Sequence, residues 1–167
     1  MTLIVIYIII SFLLDGLISN YTSINIINPS YFRTIFSLIA LIISFNFFDN
    51  EKKYLKILII IGFLFDIIYT NTFLLNIVIF YILYLNINLL NNYIPNNLFT
   101  INIKSLISLT IYHILSYIIL LLSNYEYPIK LLGIIITRSI ISTIIYTTFS
   151  YFIMKKLYYK IYDKKIK

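Results

Sequence analysis

Long runs of apolar residues, separated by short polar segments, make up nearly the whole chain. A helix that crosses a bilayer needs roughly 20 mostly apolar residues, and six runs come close to or reach that length. The pattern therefore predicts an all-α fold, with six transmembrane helices packed in one bundle. The predicted spans are Thr2–Ser19, Tyr31–Phe48, Leu55–Tyr69, Phe73–Leu90, Ile101–Leu122 and Ile129–Met154.

Prolines and glycines fall where this assignment requires them. Each proline stands before a predicted helix, where its missing N–H costs no hydrogen bond: Pro29, Pro95 and Pro128. Each glycine lies inside a span, where we expect it to let another helix approach closely: Gly16, Gly62 and Gly133. The first span has neither a basic leading segment nor a small-residue cleavage site, so we expect a retained helix rather than a signal peptide.

Composition excludes several classes of protein. Of the 167 residues, 61% are hydrophobic and 11% are charged, whereas a soluble domain is about 45–50% apolar and 25% charged. A globule of this length has too little interior to bury so much apolar surface. The chain also contains no cysteine. These numbers argue against a soluble enzyme, a secreted disulfide scaffold and a disordered tail.

The basic residues predict the orientation of the helices. Cytoplasmic links of membrane proteins are enriched in Lys and Arg. Lysines are concentrated between the second and third spans, at Lys104 and after Met154. We therefore expect both termini in the cytoplasm, with a transmembrane domain at 1–154 and a basic juxtamembrane tail at 155–167. This anchoring accounts for the net charge of +7 without a nucleic acid. The tail either anchors the chain to membrane lipids or docks a cytoplasmic protein.

Four ionisable side chains lie well inside the predicted spans: Asp15, Asp66, His113 and Arg138. An ionisable group at the centre of a membrane helix costs about 2.5–3.5 kcal/mol, so such groups are expected to face the bundle interior. Asp15, Asp66 and Arg138 fall towards the same side of the membrane, and the four groups could meet in one layer. They form either a structural lock or a polar pocket for a partner. For His113 we expect local hydrogen bonding.

Hydroxyl groups repeat at helical spacing beside these positions and predict interior stripes, because hydroxyls bond across helices in a membrane. The first stripe consists of Ser11, Asp15 and Ser19, and the second of Gly62, Asp66 and Thr70. The third consists of Ser105, Ser108, Tyr112 and Ser116. The fourth consists of Arg138, Ser142, Tyr146 and Ser150 and is flanked by Ser139, Thr143 and Thr147.

Motifs that carry catalysis or metal binding are missing from the sequence. There is no HExxH, GxSxG, CxxC, P-loop or GxGxxG pattern. One histidine and no cysteine do not supply a metal site. We therefore expect neither an enzyme nor a bound cofactor.

The segment Gly62-Phe63-Leu64-Phe65-Asp66, followed by a short polar link and a helix carrying Tyr81 and Tyr84, resembles the rod shape-determining protein MreD family. That family has a G-F-x-x-D segment at the end of a membrane helix, then a turn and another helix. Pro29 before an apolar helix and Arg138 in a late helix are also similar to the family. The resemblance covers the layout of the whole chain, and its specific part runs from Gly62 to Tyr84.

The resemblance implies a non-enzymatic, multi-pass subunit of the bacterial cell-elongation machinery in the inner membrane. Such a subunit binds MreC and links MreB filaments to the wall-synthesising glycosyltransferase and transpeptidase, so that it takes part in the regulation of cell shape and peptidoglycan synthesis. Asp15, Gly62, Asp66 and Arg138 would then be structural or partner-docking positions.

An alternative is the substrate-binding S-component of an energy-coupling-factor vitamin transporter, which is also a small six-span protein with basic ends. S-components usually dock their energising partner through spaced alanines on the first helix. Here that helix contains no alanine, only small residues at Ser11, Gly16 and Ser19.

Overall fold

A computed structural model describes residues 2–22, 35–48, 50–70, 72–124 and 128–166. The predicted all-α fold is confirmed: the described residues form six helices and no strand. A π-helical turn at Asp66–Thr70 prolongs the third helix. The helices are α1 Thr2–Thr22, α2 Phe36–Phe45, α3 Glu51–Phe65, α4 Leu75–Tyr93, α5 Leu98–Leu122 and α6 Ile129–Ile166.

Two helices differ in length from their predicted spans. Helix α2 has only 10 residues, whereas the predicted span Tyr31–Phe48 has 18 residues, of which 31–34 lie outside the described residues. Helix α6 has 38 residues because no glycine or proline follows Met154 to end it, so the lysine-rich tail continues the last helix to Ile166. By length and composition, α4, α5 and Ile129–Tyr159 of α6 are able to cross a membrane.

Helix α2 is the centre of the bundle. Every residue from Ser37 to Ser44 is buried, and α2 contacts each of the other five helices. A helix that is apolar on all sides belongs in the core, and the α2 sequence FSLIALIISF meets this condition. The other helices therefore pack around a short central rod.

The first and last helices run antiparallel. Tyr7 hydrogen-bonds to Ser150 at 2.5 Å and, one turn further along α1, Ser11 accepts a hydrogen bond from Tyr146 at 2.7 Å. The beginning of α1 therefore lies at the same end of the bundle as the end of α6. We call this the lysine end and the opposite one, which holds Asp15, the aspartate end.

The three glycines do not share one role. A Cβ on Gly16 would lie 2.6 Å from the hydroxyl of Tyr69, and one on Gly62 would lie 3.0 Å from Cα of Ile77. Both glycines thus allow the close approach that the sequence predicts. The prediction is wrong for Gly133, which has no atom within 4 Å of its Cβ position, because this first part of α6 is exposed.

Candidate functional site

Asp66 is the centre of a buried hydrogen-bond network at the aspartate end. Its side chain is 1% exposed. The carboxylate accepts from the backbone N–H of Asn76 at 2.9 Å, from the Asn76 amide at 2.9 Å and from the Thr72 hydroxyl at 2.5 Å. Because Asn76 is in the first turn of α4, the carboxylate caps the N-terminus of that helix and meets its positive dipole end.

The network continues into α5. The Asn76 amide donates to Thr70 Oγ1 at 3.0 Å, and Tyr112 donates its hydroxyl to Asn76 Oδ1 at 2.9 Å. We call Asp66, Thr70, Thr72, Asn76 and Tyr112 the Asp66 network. It joins α3, the turn after it, α4 and α5 through side chains, so it acts as a lock between consecutive helices.

The backbone around Asp66 is shaped to make this lock. Gly62, one turn before Asp66, lets α3 come against the backbone of Ile77 in α4. The π-helical turn begins at Asp66 itself, and widened turns of this kind occur often at functional sites. The chain then reverses through Leu74, whose φ of 60° is costly for a branched side chain.

Asp15 has the same relation to α2 that Asp66 has to α4. Its two carboxylate oxygens accept the backbone N–H groups of Phe36 at 2.7 Å and Ser37 at 2.8 Å. These are the first two residues of α2, whose N-terminal N–H groups have no partner within the helix. Each aspartate thus caps the helix that follows its own in the chain.

Tyr69 connects the two helix pairs that the aspartates join, α1 with α2 and α3 with α4, which we call the capped helix pairs. Its hydroxyl donates to the carbonyl oxygen of Phe12 at 2.6 Å and occupies the space that Gly16 leaves open. The rings of Phe12 and Tyr69 lie 4.8 Å apart. The structure therefore brings the neighbourhoods of Asp15 and Asp66 together at one end of the bundle, as the sequence predicts.

Arg138 is placed differently from the prediction. It is exposed on α6, and the buried face of that helix lies one residue further round. That face consists of Ser139, Thr143, Thr147 and Ser150, each at most 1% exposed. Small residues on this face let α6 pack closely on the core. Of the predicted stripe that begins at Arg138, only Ser150 is buried. On α5, by contrast, Ser105 and Ser108 are fully buried, as predicted, but their hydroxyl groups have no hydrogen-bond partner among the described residues, so the expected bonds across helices are not formed there. His113 is also buried.

Lys104 is a site that the sequence reasoning misplaced. Counted there as a residue of a cytoplasmic link, it lies on α5 with 1% of its surface exposed. Its ammonium donates to Asn91 Oδ1 at 2.6 Å, Asn96 Oδ1 at 2.6 Å and the Ile94 carbonyl at 2.9 Å. Ile94 caps the C-terminus of α4, where the helix dipole favours a cation. The asparagines around the α4–α5 link are the signal for this site.

Asp15, Asp66 and Lys104 all form hydrogen bonds to the ends of helices and therefore act as helix caps. Both carboxylates accept from helix N-termini, and within the described ranges no group of three His, Cys, Asp or Glu side chains is arranged to hold a metal ion. A groove of about 340 Å³ between α4 and α5 is lined by apolar residues, which are Phe73, Leu74, Leu75, Val78, Ile79, Ile82, Leu115 and Ile119.

Comparisons with protein-family models, curated proteins and solved structures give no match.

Proposed function

We propose that this chain is a non-enzymatic, six-span subunit of the bacterial cell-elongation machinery in the inner membrane, where it binds MreC. The observation that carries the proposal is the segment from Gly62 to Asp66, which resembles the MreD family. In the structure this segment holds α3 against α4, because Gly62 lets the two helices approach closely and Asp66 caps the N-terminus of α4. A segment that shapes the bundle, rather than a reactive site, suits an interaction subunit.

Exposed apolar faces on the outer helices support membrane insertion of the whole bundle. Helix α1 has 21 residues, about 31 Å at 1.5 Å per residue, which suits a hydrocarbon core of about 30 Å. In α3 and its π-helical turn, the part that follows Lys56 and ends at Thr70 is free of lysine, and we infer that it lies in the hydrocarbon. The large exposed side chains of α1 are Leu3, Ile6, Ile9, Ile10, Leu13, Leu17 and Ile18. We infer that α2 crosses inside the bundle, without lipid contact.

The mechanism we propose is that of a preorganised scaffold. The two capped helix pairs and the Tyr69 contact fix how α1, α3 and α4 present their outer faces. The bundle then loses less conformational entropy when a partner binds these faces than a loosely packed bundle would. MreC and the wall-synthesis enzymes are the partners proposed for these faces, with MreB filaments joined directly or through MreC.

The vitamin-carrier alternative has no comparable support. A site for a water-soluble vitamin needs a few convergent polar groups among its apolar walls. The α4–α5 groove is lined by eight side chains, all apolar. The polar side chains of the Asp66 network form hydrogen bonds with one another. The geometry therefore favours the scaffold.

Co-purification with MreC tests the proposal. The affinity-tagged chain, co-expressed with untagged MreC and extracted in mild detergent, is expected to recover MreC in near-equal amount. A tagged unrelated six-span protein serves as the control. If the chain elutes as a single folded species with no more MreC than the control, the proposed function is wrong. A thermal shift with a vitamin would then point to the transporter.

A further inference from the structure

Five exposed lysines surround the lysine end of the bundle. They belong to the first turns of α3 and to α6 just after Met154, and we call them the lysine collar: Lys52, Lys53, Lys56, Lys155 and Lys156. The link between α2 and α3 packs on α6, since the rings of Phe47 and Tyr158 lie 5.5 Å apart. The fold thus brings two lysine clusters, distant in sequence, to one end.

The described acidic and basic neighbours leave the collar with a net positive charge. Glu51 precedes the α3 lysines, and its carboxylate accepts the hydroxyl of Tyr84. Lys104 is buried, with its donors directed to Asn91, Ile94 and Asn96. Within the described residues, the exposed charge at this end is therefore that of the five collar lysines minus the one carboxylate of Glu51.

Aromatic side chains at the same end indicate the depth of the collar. Tyr93 is 83% exposed, Phe99 73% and Tyr159 57%. Asn91, two residues before Tyr93, donates to Asn46 at 2.9 Å, which fixes the α4–α5 link at the lysine end. Exposed tyrosines are enriched where a bilayer meets water. We therefore expect the collar lysines, at the same end of the bundle, to lie at the level of the lipid headgroups.

We propose that the lysine collar binds acidic phospholipids, whose headgroups carry a net negative charge. Lysines near an anionic membrane surface are attracted to it, and the attraction falls off over a Debye length. Lipid headgroups are favoured over a soluble acidic protein because the exposed rings of Tyr93 and Tyr159 at the same end of the bundle place the collar beside them. The inference rests on insertion of the bundle in a membrane and not on MreC binding.

Lipid retention by the full-length chain tests this proposal. The purified protein is placed in nanodiscs of phosphatidylcholine with a minority of phosphatidylglycerol and is then re-extracted. Mass spectrometry measures the two lipids that stay bound. We expect phosphatidylglycerol to be enriched about threefold over the bulk at about 0.1 M salt. The enrichment should disappear at about 1 M salt, where the screening length is about 3 Å.

Two variants separate the collar from a lysine at the opposite end of the bundle. K52Q/K53Q/K56Q/K155Q/K156Q is expected to lose most of the enrichment, whereas K130Q, at an exposed position in the first turn of α6, is expected to keep it. Circular dichroism confirms that both are folded. The proposal is overturned by a bulk ratio for the wild type or by an equal loss in the two variants. It is also overturned if poly-L-glutamate binds the collar while phosphatidylglycerol is not enriched.

Discussion

Replacing Asp66 with leucine is expected to lower the free energy of unfolding by about 3 kcal/mol or more. Leucine is larger than aspartate, so the substitution crowds a fully buried position, and it removes every acceptor that the carboxylate offers. The N–H and amide of Asn76 and the hydroxyl of Thr72 then lose their partner, and each buried unpaired group costs about 1–3 kcal/mol. SDS-titrated unfolding in detergent, followed by circular dichroism, measures the difference.

Two further substitutions make the Asp66 measurement specific. Asp66→Asn keeps one acceptor oxygen but turns an NH₂ group towards donors, so we expect an intermediate loss of about 1–2 kcal/mol. Asn92→Leu, at an exposed position of α4, should change stability by less than about 0.5 kcal/mol. If Asp66→Leu were as stable as Asn92→Leu, the carboxylate would not lock α3 to α4.

Replacing Lys104 with methionine is expected to lower the free energy of unfolding by about 2–4 kcal/mol. Methionine retains the unbranched apolar stem, so the change isolates the ammonium group. Its loss leaves the oxygens of Asn91, Asn96 and Ile94 without this donor in a partly buried environment and removes a cation from the C-terminus of α4. The same SDS titration measures the effect.

Lys56→Met is the matched control for Lys104. Lys56 is exposed on α3, so its substitution should leave stability within about 0.5 kcal/mol of the wild type. The cost of burying an ammonium group opposes the value of its hydrogen bonds. Equal stability of the two variants would mean that the three bonds only balance this cost, which would contradict a locking role for Lys104.

Asp15 and Asp66 show which features of a membrane bundle can be predicted from its sequence. A charged group inside an apolar run is costly enough that an interior position follows directly, and Asp66 is indeed buried. Which atoms satisfy the carboxylate depends on how the next helix packs. The hydropathy pattern holds no information on that packing, so the two helix caps emerge only from the structure.

The positions that were misplaced have physical explanations as well. A count of basic residues treats every lysine near a helix end alike, whereas Lys104 turns inward because the amide oxygens of Asn91 and Asn96 accept hydrogen bonds from its ammonium group. Helical spacing gives the period of the α6 stripe but not which of two adjacent stripes faces the core. The small residues from Ser139 to Ser150 pack more closely than a stripe that starts at Arg138.

Topology mapping is the most direct test of the central claim, a six-span bundle with both ends in the cytoplasm. Fusions of paired reporters, one active in the cytoplasm and one outside it, are made at four positions. After Lys53 and Lys167 the cytoplasmic reporter should be active, and after Asn28 and Tyr125 the external one should be. One reversed position would contradict the six-span arrangement, and with it the placement of the lysine collar and of the proposed binding faces.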